Sequence, residues 1–241
     1  MKNKSEYIKF ILPLLIIFFW FIFTYTGKVP PTSLPSLSAV KDTFIEMLKS
    51  GQLSNDLSLS LRRVLAGFFI SSVLGISLGI FMGISSKAKE FFQLTLTAIR
   101  QIPMIAWIPL IILWAGIGEV SKIVVILFAA TFPIVVNTMG GVDSTSETYL
   151  EVAKMYGLSK KDTFFKVYLP SALPNIFTGL RLGLGASWMA VVASELIASS
   201  SGIGYRLNDA RSLMRSDVVI VCMIIIGLVG LLMDKLIVLI S

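Results

Sequence analysis

Between Glu151 and Pro170 an otherwise oily sequence turns polar, EVAKMYGLSKKDTFFKVYLP, and its residue types suit gripping a partner rather than breaking bonds. Glu151 offers a carboxylate for a charge-assisted hydrogen bond to Arg or Lys, either on a partner or within the loop through Lys154 or Lys160. Ala153 and Gly157 are small enough to let another surface approach. Ser144 and Glu147 have the Ser-x-x-Glu spacing of a capping box, which predicts a helix starting there. Gly157 suits the left-handed position that ends helices. Ser159, three residues before Asp162, is placed to cap a second short helix that Pro170 is expected to stop. Two short helices joined at a glycine make a strut, which transmits displacement where a floppy linker would lose it.

Elsewhere the means for covalent chemistry are scarce. Histidine is absent, Cys222 is the lone cysteine, and no GxxxxGK[ST] phosphate loop occurs. No His/Asp/Glu constellation stands at ligand spacing, so no metal or cofactor is expected in this chain. Any ATP hydrolysis, with its Mg, must come from another polypeptide.

With 55% hydrophobic and 15% charged residues, the chain lies far from a soluble domain, in which about a quarter of residues are charged. Apolar runs near the roughly 20 residues needed to cross a bilayer predict an all-α membrane protein. A single transmembrane domain over residues 1–241 is expected, with spans at about 7–25, 60–84, 101–116, 121–139, 173–198 and 217–240. Residues 36–50 read as a short amphipathic helix on the membrane surface, with Gly51 as its C-terminal cap. No small-x-small cleavage site follows the first apolar run, so that span is expected to be retained. Residues 85–100 read as a cytoplasmic loop. The net charge of +7 is spread between the spans, which argues for membrane-flanking charges and against a nucleic-acid stripe.

Within the second span Gly67, Ser71, Gly75, Gly79 and Gly83 recur every four residues. Such a groove of small residues predicts close packing of another helix, within one subunit in preference to between subunits. Polar groups in or bordering spans are the candidates for a solute path: Gln101, Thr131, Asn137, Ser187, Trp188 and Glu195. Glu195 is expected near the outer end of its span, facing an outer cavity or capping the SSSG turn after it. Arg181 is expected to snorkel to the inner interface.

The spacing from Glu151 through Ala153, Gly157, Val167, Leu169 and Pro170 resembles the "EAA" coupling loop of bacterial ABC importer permeases. Further segments, SLRRVLAGF (60–68), IPMIAWIPLIILWAGIGEVSK (102–122), FPIVVNTMGGV (132–142) and ASELIASSSGIGY (193–205), resemble the nitrate, aliphatic sulfonate, taurine and thiamine-precursor permeases. The resemblance covers nearly the whole chain; one departure is the end at Ser241, where members of this group often continue into a basic tail. It implies the type I importer permease fold with a coupling loop at about 143–172. It also implies a cytoplasmic ATPase dimer, a second permease copy in a homodimer, and an extracellular or periplasmic substrate-binding protein. The expected location is the bacterial cytoplasmic membrane. The Lys/Arg bias between loops is weak, so the cytoplasmic N-terminus also follows from the resemblance.

The favoured solute is an aliphatic sulfonate, taurine or a nitrate-like anion, with a thiamine-precursor pyrimidine, riboflavin or another small organic solute as the alternative. Arg206, Arg211 and Arg215 near the outer face favour an anion, but Asp209 and Asp217 offset them. A stand-alone secondary transporter would need intramembrane carboxylates for ion coupling, and only Glu195 and Asp234 could serve.

Overall fold

A computed structural model describes residues 4–240, and side chains from Phe10 to Leu239. Among the described residues every regular element is helical. In chain order they are α1 (Lys4–Tyr25), α2 (Leu37–Lys49), α3 (Gln52–Ile84), α4 (Ser86–Gln101), α5 (Met104–Ala115) and α6 (Glu119–Asp143). There follow α7 (Glu147–Met155), α8 (Lys160–Thr163), a π-helical turn (Phe164–Tyr168), α9 (Leu169–Ala198), α10 (Ile203–Ser212) and α11 (Ser216–Ile240). Four helical stretches are long and apolar enough to cross a bilayer alone: α3, α6, Lys160–Ala198 and α11. The bent pair α4 and α5 makes a fifth, and the shorter apolar stretch Phe10–Tyr25 of α1 supplies the remaining candidate.

The core of the subunit is the triple packing of α3, α6 and α9, and the small-residue groove explains why these helices lie so close. A Cβ on Gly67 would sit 2.6 Å from Ile126 Cγ2, one on Gly75 2.7 Å from Ile134 Cγ2, and one on Gly79 2.6 Å from Thr138 Cβ. A Cβ on Gly83 would lie 2.6 Å from Val142 Cβ. Both series of residue numbers rise together, so α3 and α6 run parallel, each glycine of one keyed to a side chain of the other. Against α9 the order reverses: Gly141 meets Ala172 and Asn175, while Gly183 meets Ile134 and Ala130. The groove thus serves packing inside one subunit.

Several sequence expectations need correction. The second span begins at Gln52, eight residues before 60, because Leu53, Asp56 and Ser60 find buried partners beyond the apolar run. Residues 86–101 are helix, not loop: Ser85 caps the start, its hydroxyl accepting from Ala88 N. The span expected at 101–116 holds only α5, which a break at Ile102 and Pro103 sets at a 99° bend from α4. Pro103 disfavours helical backbone at Ile102, whose ψ of 120° is extended, and so imposes the break.

The capping box at Ser144 does not form. Its hydroxyl instead donates to Gly141 O at the end of α6, and α7 starts after Ser146. Pro170 does not stop a helix either. The wider π-helical turn before it, with Leu169 N bonded to Phe164 O, leads straight into α9 with Pro170 in the first turn, where a missing N–H costs little. The amphipathic helix expected at 36–50 is present as α2, but its buried face of Val40, Thr43 and Met47 lies against protein, and Thr43 donates to Asp217 Oδ2 at 2.7 Å.

Candidate functional site

At the end of α6 opposite the α5–α6 turn, the chain forms the strut anticipated from its sequence. Gly157 has φ 65°, the left-handed region. Around it Leu158 N donates to Ala153 O and Gly157 N to Lys154 O, both at 3.0 Å, which is the Schellman pattern. A Cβ at Gly157 would meet nothing within 4 Å, so the glycine is required by backbone conformation alone. Ser159 accepts from Asp162 N and opens α8. From there helix continues through Ala198, so the strut and a membrane span are one rod.

The side chains of the strut divide into two sets. Ala153 is buried, and Leu169 packs toward Val142, Ala172 and Ile176. The small side chain of Ala153 lets α7 lie close on its own chain and leaves Ala153 at the floor of a surface hollow. Val167 is half-buried and joins Tyr149, Val152, Leu158 and Lys166 around a shallow hollow that reaches the exposed Pro170. Glu151 points to solvent and has no hydrogen bond or ion pair among the described residues, so neither Lys154 nor Lys160 engages it. Met155 and Tyr156, which the motif did not single out, are 84% and 83% exposed at the tip. Large apolar side chains are thus presented to the outside around a rigid turn. The signal was present in the sequence as Met-Tyr directly before the helix-ending glycine.

The opposite end of the core is held by charge. Arg63 on α3 donates from Nη1 to Glu195 Oε1 at 2.7 Å, and from Nε and Nη2 to both oxygens of Glu119 at 2.7 and 2.6 Å. Its guanidinium also reaches Ser201 O and Oγ. Glu195 further accepts from Ser60 Oγ and, at 3.0 Å, from Gly204 N. Asp56, also buried, accepts from Arg206 Nε at 2.8 Å. Donors and acceptors from α3, α6, α9 and α10 thus close on one another. Such mutual satisfaction is what lets charged groups remain buried. Gly202, at φ 104°, passes so close over Glu195 that any Cβ would collide with the carboxylate. The capping reading of Glu195 therefore describes its position: 1% exposed beneath the SSSG turn, with its carboxylate accepting from Gly204 N.

The other candidate path residues are dispersed. Gln101 is exposed at the bend between α4 and α5. Thr131 has its carbonyl against α3 at Gly75, and among the described residues its hydroxyl lacks a hydrogen-bond partner. Asn137 donates to Pro133 O at 2.8 Å and packs its Cβ on Gly179. Ser187 is fully buried and donates to Gly183 O, while Trp188 donates to Ile226 O at 3.0 Å and ties α9 to α11. Ser187, Trp188 and Glu195 thus belong to the interior packing of the subunit. Arg181 does not simply snorkel: it makes a two-point ion pair with Asp234, 2.6 and 2.8 Å.

Comparison with known proteins agrees with this geometry. Residues 71–241 match the model of the family described as binding-protein-dependent transport system inner membrane component. An ABC transporter permease protein of Methanocaldococcus jannaschii is 39% identical over 97% of this chain and 89% of its own length. An aliphatic sulfonates transport permease of Bacillus subtilis is 38% identical over 93% of this chain and 82% of its own. Among solved structures, an amino acid ABC transporter superposes with a TM-score of 0.66 at 17% identity, over 82% of this chain and 96% of that one, which speaks for the fold. A helical core keyed by glycines, a rigid loop between two spans and this family match lead to one conclusion: the chain belongs to the inner-membrane permease components of binding-protein-dependent ABC importers.

Proposed function

We propose that this permease works as a pair of identical copies around a central path for a small anion, an aliphatic sulfonate in the favoured case. Its N-terminus would face the cytoplasm, and the strut from Glu151 to Pro170 would dock on an ATPase that supplies the hydrolysis of ATP. The observation that carries the coupling role is the exposed pair Met155 and Tyr156, mounted on a turn that is continuous with α9. Displacement of that tip moves a membrane span as a lever. A single strut per chain matches one docking cleft on each subunit of an ATPase dimer, which supports two copies. The sulfonate preference rests on the Bacillus subtilis relative's name and on the identity shared over most of the chain.

A stand-alone ion-coupled transporter is disfavoured by a specific feature. Both carboxylates available for such coupling, Glu195 and Asp234, are already held by arginines. The deciding experiment co-purifies the permease with a neighbouring ATPase, reconstitutes the complex in liposomes and adds the partner binding protein. Hydrolysis and uptake stimulated by ethanesulfonate or taurine are expected. Stimulation by a thiamine-precursor pyrimidine alone would replace the anion with that solute. Uptake by the isolated permease without ATP would overturn the coupling role. Native mass spectrometry showing a different permease beside this one would replace the homodimer.

A further inference from the structure

On one face of α4, up to its break with α5, stand polar side chains that have no hydrogen bond or ion pair among the described residues. Gln93, Thr97 and Arg100 on α4 face Phe132, Val135, Val136 and Met139 of α6 across a hollow of about 190 Å³. The ion pair of Lys89 with Asp143 marks where the two helices meet at the end of α6. From there Arg100 lies about three turns along α4 and Phe132 about three turns back along α6, at 3.6 residues per turn. Arg100 therefore sits at membrane depth rather than at a membrane surface. Its guanidinium is exposed, and among the described residues it has neither an ion pair nor a hydrogen bond. Gln93, Thr97 and Gln101 likewise keep their polar heads free and exposed. This contrasts with Arg63, Arg181, Arg206 and Arg215, each matched to a carboxylate.

A cation at membrane depth faces either protein, a water-filled path or lipid, and the last is costly. The helix break supplies the access that a continuous span would deny. Irregular backbone at such depth is tolerated where it lines a cavity. We propose that Arg100, with Gln93 and Thr97 beside it, is the station of the translocation path that takes the anionic head group of the solute. A planar guanidinium presents a fork of donors that matches the oxygens of a sulfonate or nitrate. The apolar wall of Phe132, Val135 and Val136 accommodates a short aliphatic tail. This rests on the importer reading above and names the part of the subunit that discriminates by charge.

The test uses the complete complex, reconstituted with its ATPase and binding protein, and follows uptake of ethanesulfonate, taurine and nitrate. Arg100→Gln is expected to lower uptake of the carried anion by about tenfold or more, the effect of losing a charge-assisted bond. Arg100→Lys keeps the charge and is expected to recover uptake to within about threefold of wild type. Co-purification of the ATPase at the wild-type level controls for folding. Accessibility is read independently. The only native cysteine, Cys222, is buried, so Arg100→Cys creates a single exposed thiol in this chain. Its labelling by the aqueous anion 2-sulfonatoethyl methanethiosulfonate, slowed by excess carried anion, is expected.

Wild-type uptake by Arg100→Gln, or an unlabelled Arg100→Cys variant, would overturn the proposal and place Arg100 against lipid or against the second copy. Uptake of neutral solutes only by the wild-type complex would overturn the anion assignment while leaving the importer reading intact. A complex that takes up nothing would sink that reading, and this proposal with it.

Discussion

Arg63 and Glu195 are 132 residues apart in the chain, yet the guanidinium meets the carboxylate at 2.7 Å with both side chains almost fully buried. This pair locks α3 to α9, and through Glu119 and Gly204 it also fixes the start of α6 and the entry to α10. The charged junction and the glycine-keyed packing below it hold one end and the middle of the core. At the other end the tip of the strut remains exposed.

Glu195→Ala removes the acceptor of Ser60, Gly204 and one arm of Arg63 at once. It is expected to destabilise the subunit by about 3–5 kcal/mol, because a buried charge and several donors lose their partner. The double variant Arg63→Met with Glu195→Leu should lose less than the two single changes added together. Thermal unfolding in detergent of the two single variants and the double checks this as a cycle. Additive losses would show that the two side chains act independently.

Gly79→Ala puts a methyl 2.6 Å from Thr138 Cβ and 2.8 Å from Val135 O. The α3–α6 pair must separate, at an expected cost of about 1–3 kcal/mol. Gly185→Ala on α9 meets nothing within 4 Å and should be neutral or stabilising by up to about 1 kcal/mol. Melting temperatures of the two variants, compared side by side, are expected to move in opposite directions or to differ clearly in size.

Gly157→Val forces a β-branched residue into the left-handed turn, at about 1–2 kcal/mol, and is expected to uncouple transport while the subunit still inserts. Gly157→Asn tolerates that backbone region and should keep most activity. The readout is uptake relative to ATP hydrolysis in liposomes. Equal coupling in both variants would remove the requirement for a rigid turn.

Glu151→Lys should weaken recovery of the ATPase in a pull-down more than Glu151→Gln does. Gln keeps an acceptor of the same shape, whereas Lys adds like-charge repulsion against a cationic partner. Helix stability does not explain a large loss, since the new like-charged neighbour of Lys154 costs only about 0.2–0.5 kcal/mol. Salt titration of the pull-down separates the charge effect from apolar docking. For Met155→Ser and Tyr156→Ser the loss should be large and nearly independent of salt, since apolar burial is not screened.

What the sequence determined by itself is what depends on neighbours within a turn or two. Apolar composition set an all-helical membrane protein, the four-residue recurrence from Gly67 to Gly83 set a packing face, and Gly157 set the end of α7. Ser159 opened α8 where expected, since a cap needs only its own turn. The tertiary structure decided whatever depends on distant partners or on competition between signals. Ser144 could cap the next helix or terminate the last one, and the end of α6 claimed it. Pro170 read as a stop, yet a π-helical turn admitted its ring and carried the helix on. Arg100 read as a loop charge until the helix of α4 and its 99° bend into α5 set it beside α6. Glu195 became a structural anchor because the glycine-tight contact of three helices delivered Arg63 to it, and no local pattern encodes a meeting that only close packing of distant segments brings about.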